Sequence, residues 1–340
     1  MNTVRWGLLS TANINRALIP AIREAKKSEL VAVASRSLES AEKYAHEWEI
    51  QQAFGSYDEM LESGEVDAVY IGLPNHLHAE WTIKALEAGM NVLCEKPFAT
   101  SLDDVDAVIA ASDKFGKVAA EAFMYRHHPQ TKIVKDWVQE GKLGQITLIR
   151  GAFDFRMGPD GRKPGSLNVR MVPEFGGGCL WDVGIYPLSY TQFLMEGPPD
   201  WVYGSQKLGP TEVDEVFAGQ MGFQTENGEV LAQISCSFNT PLHTFLEIVG
   251  TEGRLYISRP FSDMDRKAQV IFTDHKDKSK EIQVPKKSLY LGEVEDLQNA
   301  ILDGSPTLIS LKETRNHVRT ALALYESART GHPVRLFKLG

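Results

Sequence analysis

The sequence predicts an α/β fold in two parts. The first is a doubly wound parallel sheet. The second is an α/β domain with a large, mostly antiparallel open sheet. Three observations carry this reading. Up to about residue 123, short apolar runs alternate with stretches of helical periodicity, the pattern of a parallel sheet. Beyond about residue 125 the apolar runs lengthen and follow one another directly, which argues for antiparallel pairing. The chain also has 340 residues, more than one ordinary core holds. The boundary is placed between 1–123 and 124–340.

Val4-Arg5-Trp6-Gly7-Leu8-Leu9 reads as the first strand. Ile14 to Ala25 follows with Ile14, Ala17, Leu18, Ala21 and Ile22 at helical spacing. Leu30 to Ala34 is almost continuously apolar, as a strand covered on both faces should be. Leu38 to Trp48 is helical, and Val66 to Ile71 is a central strand. His78 to Ala88 is helical and stops at Gly89, a helix-end signal. Asn91-Val92-Leu93-Cys94 is a strand running into Glu95. A helix from Ser101 to Phe115 and a strand from Lys117 to Phe123 complete the first part. Pro129 to Glu140 opens the second part as a helix, with proline in its first turn. Strands follow at Ile146 to Phe155, Val213 to Phe223, Val230 to Phe238, Thr244 to Val249 and Arg254 to Ile257. Asn227-Gly228 is a hairpin turn, and Thr251-Glu252-Gly253 is a second turn. Phe261 to Lys286, rich in Asp and Lys, reads as an exposed excursion.

Composition narrows the function classes. Hydrophobic residues make up 43% and charged residues 24% of the chain, as in soluble globular proteins. The net charge of −9 argues against nucleic acid as a main partner, which would want a basic face. Cys94, Cys179 and Cys236 lie far apart in apolar runs, as reduced, buried thiols do. No cluster has metal-ligand spacing, so no metal is expected. No run is long enough to span a bilayer, and the N-terminus lacks the pattern of a secretory signal. The expectation is a cytoplasmic protein.

The residues that carry chemistry form three groups. In Glu95-Lys96-Pro97, a lysine stands at the carboxyl end of a strand, where open α/β sheets bind ligands. In Gly176-Gly177-Gly178-Cys179-Leu180-Trp181-Asp182-Val183-Gly184-Ile185-Tyr186-Pro187, Asp182 and Tyr186 share one face if the segment is helical. A lysine, an aspartate and a tyrosine together suit proton transfer at an alcohol or carbonyl. Tyrosine has an ordinary pKa of about 10, and a neighbouring cation favours its phenolate. Tyr186 is therefore the expected acid/base, Lys96 its tuning cation, and Asp182 the group that orients Lys96 or a substrate hydroxyl.

The third group is a dinucleotide site. Gly7-Leu8-Leu9-Ser10-Thr11-Ala12 matches the G-x-G-x-x-G/A fingerprint at Gly7 and Ala12, with Leu9 in place of the second glycine. Ser10 and Thr11 hydroxyls and the helix N-terminus are expected to bind phosphate oxygens, with Asn13 and Ile14 completing the turn. Ser35-Arg36-Ser37 ends the second strand. Arginine there suits a 2′-phosphate, where NAD sites usually carry Asp or Glu. NADP is favoured over NAD, and stacking of Arg36 on adenine would leave dual use open. Leu73-Pro74-Asn75-His76-Leu77-His78 follows the central strand. Leu73, Pro74, Asn75 and His78 are expected cofactor contacts, whereas His76 reads equally well as a solvated turn residue. Glu95 and Arg126 are further cofactor candidates. Tyr125, Arg156, Arg170 and Trp181 are candidates for the substrate pocket. His127 and His128 are neighbours whose side chains point apart on a helix, which argues against joint metal ligation.

These motifs, in this order and over nearly the whole length, resemble the glucose–fructose oxidoreductase / inositol dehydrogenase / MocA-like family of nicotinamide-dependent oxidoreductases. Tyrosine at position 186 resembles the branch of dimeric dihydrodiol dehydrogenase, NADP-dependent xylose dehydrogenase and glucose–fructose oxidoreductase. The resemblance implies the Rossmann domain, the open-sheet second domain, and the catalytic set Lys96, Asp182 and Tyr186. It also implies a homo-oligomer, dimer or tetramer, through the exposed sheet face. The expected reaction is oxidation of a sugar or polyol-like alcohol, first of all at C1 of an aldose as in xylose dehydrogenases. Keto-sugar or dicarbonyl reduction and trans-dihydrodiol oxidation are the alternatives. A dinucleotide-binding regulatory protein is the non-enzymatic alternative, against which the intact trio weighs.

Overall fold

The computed structural model describes residues 2–163, 167–262 and 268–336. The chain forms two compact units, Met1–Met124 with Tyr290–Arg315, and Tyr125–Leu289 with Asn316–Gly340. Residues 290–315 thus return to the first unit after the chain has entered the second.

Six strands form the first unit's sheet: β1 (Val4–Leu9), β2 (Ser28–Ala34), β3 (Gln52–Phe54), β4 (Ala68–Ile71), β5 (Asn91–Glu95) and β6 (Ala119–Ala122). All pairs are parallel, in the order β3-β2-β1-β4-β5-β6. Chain order reverses between β1 and β4, and such a switch point opens a crevice outside the strands' carboxyl ends. The helices are α1 (Asn15–Glu24), α2 (Leu38–Trp48), α3 (Tyr57–Glu62), α4 (His78–Glu87) and α5 (Leu102–Phe115). Trp6, Leu8, Val33, Tyr70 and Leu93 from the strands form one buried cluster with Leu18 and Ile22 of α1. Each such side chain stabilises the fold by about 1.5–3 kcal/mol through burial. Val294 and Leu297, from the returning segment, complete the cluster, which explains why that segment leaves the second unit.

The second unit opens with α6 (Pro129–Gln139) and β7 (Ile146–Arg156). A helical segment follows, wound as a π-helix over Leu180–Gly184 and as α7 over Ile185–Met195. Then come β8 (Trp201–Leu208), β9 (Asp214–Thr225), β10 (Gly228–Ser237), β11 (Asn239–Gly250), β12 (Gly253–Ile257), β13 (Val270–Asp274) and β14 (Ser279–Glu281). α8 (Leu291–Asp303) belongs to the first unit, and the division between the units falls within α9 (Leu311–Thr330). β15 (Val334–Arg335) joins the sheet, whose order is β14-β13-β12-β11-β7-β10-β9-β8-β15. Every pair is antiparallel except β10 with β7. Burial alternates along β10, as expected of a sheet with one covered face.

Several short elements were not legible in the sequence. β3, β15 and β14 are three residues or fewer, too short to show a period. Residues 261–286 are not simply an exposed excursion. Phe261 is buried, and β13 and β14 extend the sheet edge. Their Asp and Lys residues suit an edge strand, where charge opposes further pairing.

Asp67, just before β4, shows how the parallel sheet is tied at its amino end. The Arg5 backbone N–H, Nε and Nη2 donate to the Asp67 carboxylate at 2.9, 3.0 and 2.9 Å. Burial works against the charge, but the bonds from Arg5 prevail and hold the Asp67 carboxyl below its ordinary value. A lowered carboxyl contributes stability above its unfolded pKa of about 3.9 and loses it as pH falls through the folded value. Asp67→Asn is expected to lower the thermal midpoint at pH 7, by an amount that shrinks toward pH 3. Equal midpoint differences at both pH values would contradict the ion pair's role.

Candidate active site

β1 runs to Leu9, and the turn that follows is Ser10-Thr11-Ala12-Asn13. Gly7 lies inside the strand, beside Ala32 and Val69. A Cβ there would stand 2.9 Å from Met60 Sδ and 3.1 Å from Val66 Cγ1. Gly7 is thus a packing residue, not part of the turn, and Leu9 is simply the last strand residue. Ser10 has φ 122°, a conformation that suits glycine and strains any other residue. Its hydroxyl donates to Gly72 O at 3.2 Å and accepts from the Ala12 N–H at 3.3 Å. The buried Asn15 amide donates to Ser10 O at 2.8 Å. Ile14 packs against the hydrophobic core, so its part is also structural.

The start of α1 suits a phosphate. It has no side-chain cap and no acidic residue in its first turn. By contrast, α2, α3 and α5 are each capped by serine and carry acidic residues there. A helix N-terminus without a carboxylate offers partial positive charge to an anion. Arg36 lies exposed beyond the end of β2. Ser35 donates its backbone N–H to Phe54 O, and Ser37 caps α2 through the Ser40 N–H.

The Glu95-Lys96-Pro97 turn follows β5 in the same unit. Tyr70 donates to Glu95 Oε1 at 2.5 Å. Glu121, almost completely buried on β6, accepts from the Phe98 N–H at 3.0 Å and the Thr314 hydroxyl at 2.9 Å. His78 is 0% exposed, and both ring nitrogens lie against main-chain carbonyls, those of Pro97 and Leu73. Its expected role as a cofactor contact gives way to one of bracing. Leu73 is buried, Pro74 and Asn75 are half-buried, and His76 is exposed.

In the second unit, Asp182 and Tyr186 stand on the continuous helical segment, within and just beyond its π-helical turn. Such turns recur at functional sites. The N-terminal end of the segment is pinned by Asp214, whose carboxylate accepts from the Leu180 N–H at 2.8 Å, Cys179 Sγ at 3.1 Å and the Tyr325 hydroxyl at 2.8 Å. Burial pushes the Asp214 carboxyl upward, against these donors. The three glycines before it are each required. Gly176 and Gly178 have positive φ of 75° and 120°. A Cβ on Gly177 would stand 2.6 Å from Arg170 O, and one on Gly178 2.0 Å from Asp214 Oδ1. At the other end, the buried Lys135 ammonium donates to Phe193 O at 3.0 Å, Leu194 O at 3.2 Å and Glu196 Oε1 at 2.8 Å. This caps the last carbonyls of α7.

Asp182 accepts from Arg170 Nε at 2.7 Å, so the substrate-pocket candidate Arg170 forms an ion pair with the expected catalytic aspartate. Tyr186 is 5% exposed and sits among Phe153, Phe261 and Tyr125, at ring-centroid distances of 5.3, 5.7 and 5.9 Å. Tyr125 is fully buried and bonds Ser189 Oγ at 2.5 Å. Trp181 packs its ring on Tyr325. Both side chains are buried in the second unit. Arg126 is buried with its guanidinium 3.8 Å from the Phe193 ring centre, and Arg156 is exposed at the end of β7. Burial pushes the His127 pKa down to about 3, with Arg126 adding to it. His128 caps α6 by accepting from the Gln130 N–H. Asn15, Tyr70, Glu121, Lys135 and Asp214 were missed in the sequence. Glu121 carried a signal, a charge inside the apolar strand run Ala119-Ala120-Glu121-Ala122-Phe123, since buried charges need partners.

A switch-point sheet with an anion-ready turn, followed by a large open sheet, defines a two-unit nicotinamide-dependent oxidoreductase. Residues 4–123 match the oxidoreductase family with NAD-binding Rossmann fold, and residues 131–256 match the GFO/IDH/MocA C-terminal domain. The chain belongs to the Gfo/Idh/MocA family. It is 35% identical to D-xylose 1-dehydrogenase (NADP(+)) 2 of Haloferax volcanii, over 97% of this chain and 99% of that protein. It is 32% identical to trans-1,2-dihydrobenzene-1,2-diol dehydrogenase of Danio rerio, over 75% and 74%. Among solved structures, KijD10, a 3-ketoreductase from Actinomadura kijaniata in complex with NADP and TDP-benzene, superposes with a TM-score of 0.86. It is 27% identical and covers 96% of this chain and 98% of its own. Among the described residues, no helix is long and apolar enough to cross a membrane.

Gly178→Ala is expected to destabilise the second unit by about 2 kcal/mol or more, from left-handed strain and contact with Asp214. Thermal unfolding would show this as a midpoint several degrees lower. An unchanged midpoint would show that the Asp214 anchor tolerates displacement.

Proposed function

We propose that this enzyme is an NADP-dependent sugar dehydrogenase that oxidises C1 of an aldose. The nicotinamide supplies hydride transfer when bound; the chain's own residues bind, orient and move the proton. Tyr186 takes the hydroxyl proton from the substrate. Lys96 supplies the cation that favours the tyrosinate and bonds the substrate oxygen. Asp182, charge-paired with Arg170, orients the substrate hydroxyl. The same reading takes the enzyme as a cytoplasmic homo-oligomer formed through the open sheet.

The observation that carries the cofactor choice is Arg36, exposed one residue beyond Ser35 at the end of β2, where NAD-selective sites present a carboxylate. The xylose dehydrogenase, named as NADP-dependent, supports both cofactor and substrate class. Reduction of a keto-sugar is the second reading, supported by the 3-ketoreductase likeness.

The test is reduced-nicotinamide absorbance with purified protein. D-xylose and other aldoses are offered with NADP or NAD, and keto-sugars, dicarbonyls and dihydrodiols with the matching cofactor form. Turnover of aldoses with NADP is expected. Turnover confined to keto-sugars would replace the first reading by the second. Arg36→Ala is expected to weaken NADP by about ten- to a hundredfold, the loss of one charge-assisted contact, and to leave NAD nearly unchanged. Equal losses would contradict the 2′-phosphate assignment.

A further inference from the structure

His78 stands between two main-chain carbonyls in the first unit. Its Nδ1 lies 2.8 Å from Pro97 O and its Nε2 2.8 Å from Leu73 O. A carbonyl oxygen can only accept. A neutral imidazole has one N–H, so it serves one carbonyl and turns a lone pair toward the other. In a fully buried site that leaves an acceptor without its donor, at a contact distance where two lone pairs repel. The imidazolium donates to both, and 2.8 Å is the ordinary length of a charge-assisted N–H···O bond. Burial, the largest influence, and the Lys96 ammonium beyond β5 press the His78 pKa below its ordinary value, against the two carbonyls and the Glu121 carboxylate on β6. The contact geometry decides for the charged form, because only that form satisfies both partners.

We propose that His78 is a doubly protonated positioning residue, an imidazolium clamp with Glu121 as its counter-charge, that fixes the main chain around Lys96. The clamp ties the turn after β5 to the loop after β4, and so joins two stretches expected to face the nicotinamide. Glu121 completes it by accepting from the Phe98 N–H and from Thr314. Lys96 is then held from both sides. The Pro97 carbonyl goes to His78, and on the other side the Glu95 carboxylate goes to Tyr70. The effect on catalysis rests on the reading of Lys96 as the catalytic lysine; the charge on His78 does not.

The test is nitrogen NMR of the full-length protein labelled with ¹⁵N-histidine, with His78 assigned by through-bond correlation and checked by His78→Gln. Both ring nitrogens of His78 are expected to be protonated at pH 7, the two carbonyl contacts prevailing over burial. An unprotonated ring nitrogen at pH 7 overturns the proposal. Glu121→Gln is expected to move the His78 titration to lower pH, and no movement overturns the counter-charge. His78→Gln is expected to shift the Lys96 and Phe98 amide signals and to keep NADP affinity within about threefold. With D-xylose and NADP its kcat is expected to fall about tenfold or more while KM changes little, the pattern of lost transition-state positioning. Unmoved amide signals, or an unchanged kcat, overturn the positioning role. Wild-type protein inert toward every sugar would instead sink the sugar reading, while the ring-nitrogen spectrum still decides the charge on His78.

Discussion

The Asp214 carboxylate governs where the chemistry of the second unit can sit. It is buried, yet it gathers a backbone N–H, a thiol and a phenol hydroxyl at the start of the helix that carries Asp182 and Tyr186. An unpartnered buried charge would cost several kcal/mol, so the helix start is held wherever those donors meet. The glycine at position 178 follows from this, since Asp214 Oδ1 occupies the space a side chain would need. Gly184, six residues further on, is needed for a like reason, because a Cβ there would meet Cys236 Sγ at 2.7 Å. With Lys135 closing the far end, the helix has little freedom to slide or rotate. Tyr186 is thereby fixed in its aromatic surround.

The first unit uses the same device with different groups. Parallel strands end in loops, and a loop holds its side chains loosely unless its main chain is bonded. Glu121, Tyr70 and His78 supply those bonds around Glu95-Lys96-Pro97. Beside the β1 turn, the start of α1 carries neither a side-chain cap nor an acid in its first turn. That matters more than the imperfect glycine fingerprint. Anion binding depends on open N–H groups and the helix dipole, whereas glycine only eases the backbone approach.

Much of this was readable from residues. The strand–helix alternation up to residue 123 matched a six-strand parallel sheet, because strands buried on both faces show as apolar runs. The antiparallel second sheet was legible from runs such as Val230 to Phe238. What escaped has physical reasons. The fingerprint was set three residues early because Gly7 looked like a turn glycine. It is in fact needed where Met60 and Val66 crowd the strand, and the strained position fell to Ser10. The return of residues 290–315 depends on Val294 and Leu297 finding a core laid down by distant residues, which no local pattern reports. Arg170 could be read only as a lone arginine, since its pairing with Asp182 spans an irregular segment. His78 was read as a ligand contact because a sequence shows that a histidine is near a site, not which way its ring faces.

The central claim is that Tyr186 moves the proton in a nicotinamide-dependent oxidation. The most direct measurement is a single turnover of Tyr186→Phe beside wild type, with NADP prebound and D-xylose added, followed by reduced-nicotinamide absorbance. The account predicts a rate of cofactor reduction lower by about a hundredfold or more, with NADP binding nearly unchanged. A wild-type rate in that variant would remove Tyr186 from the mechanism.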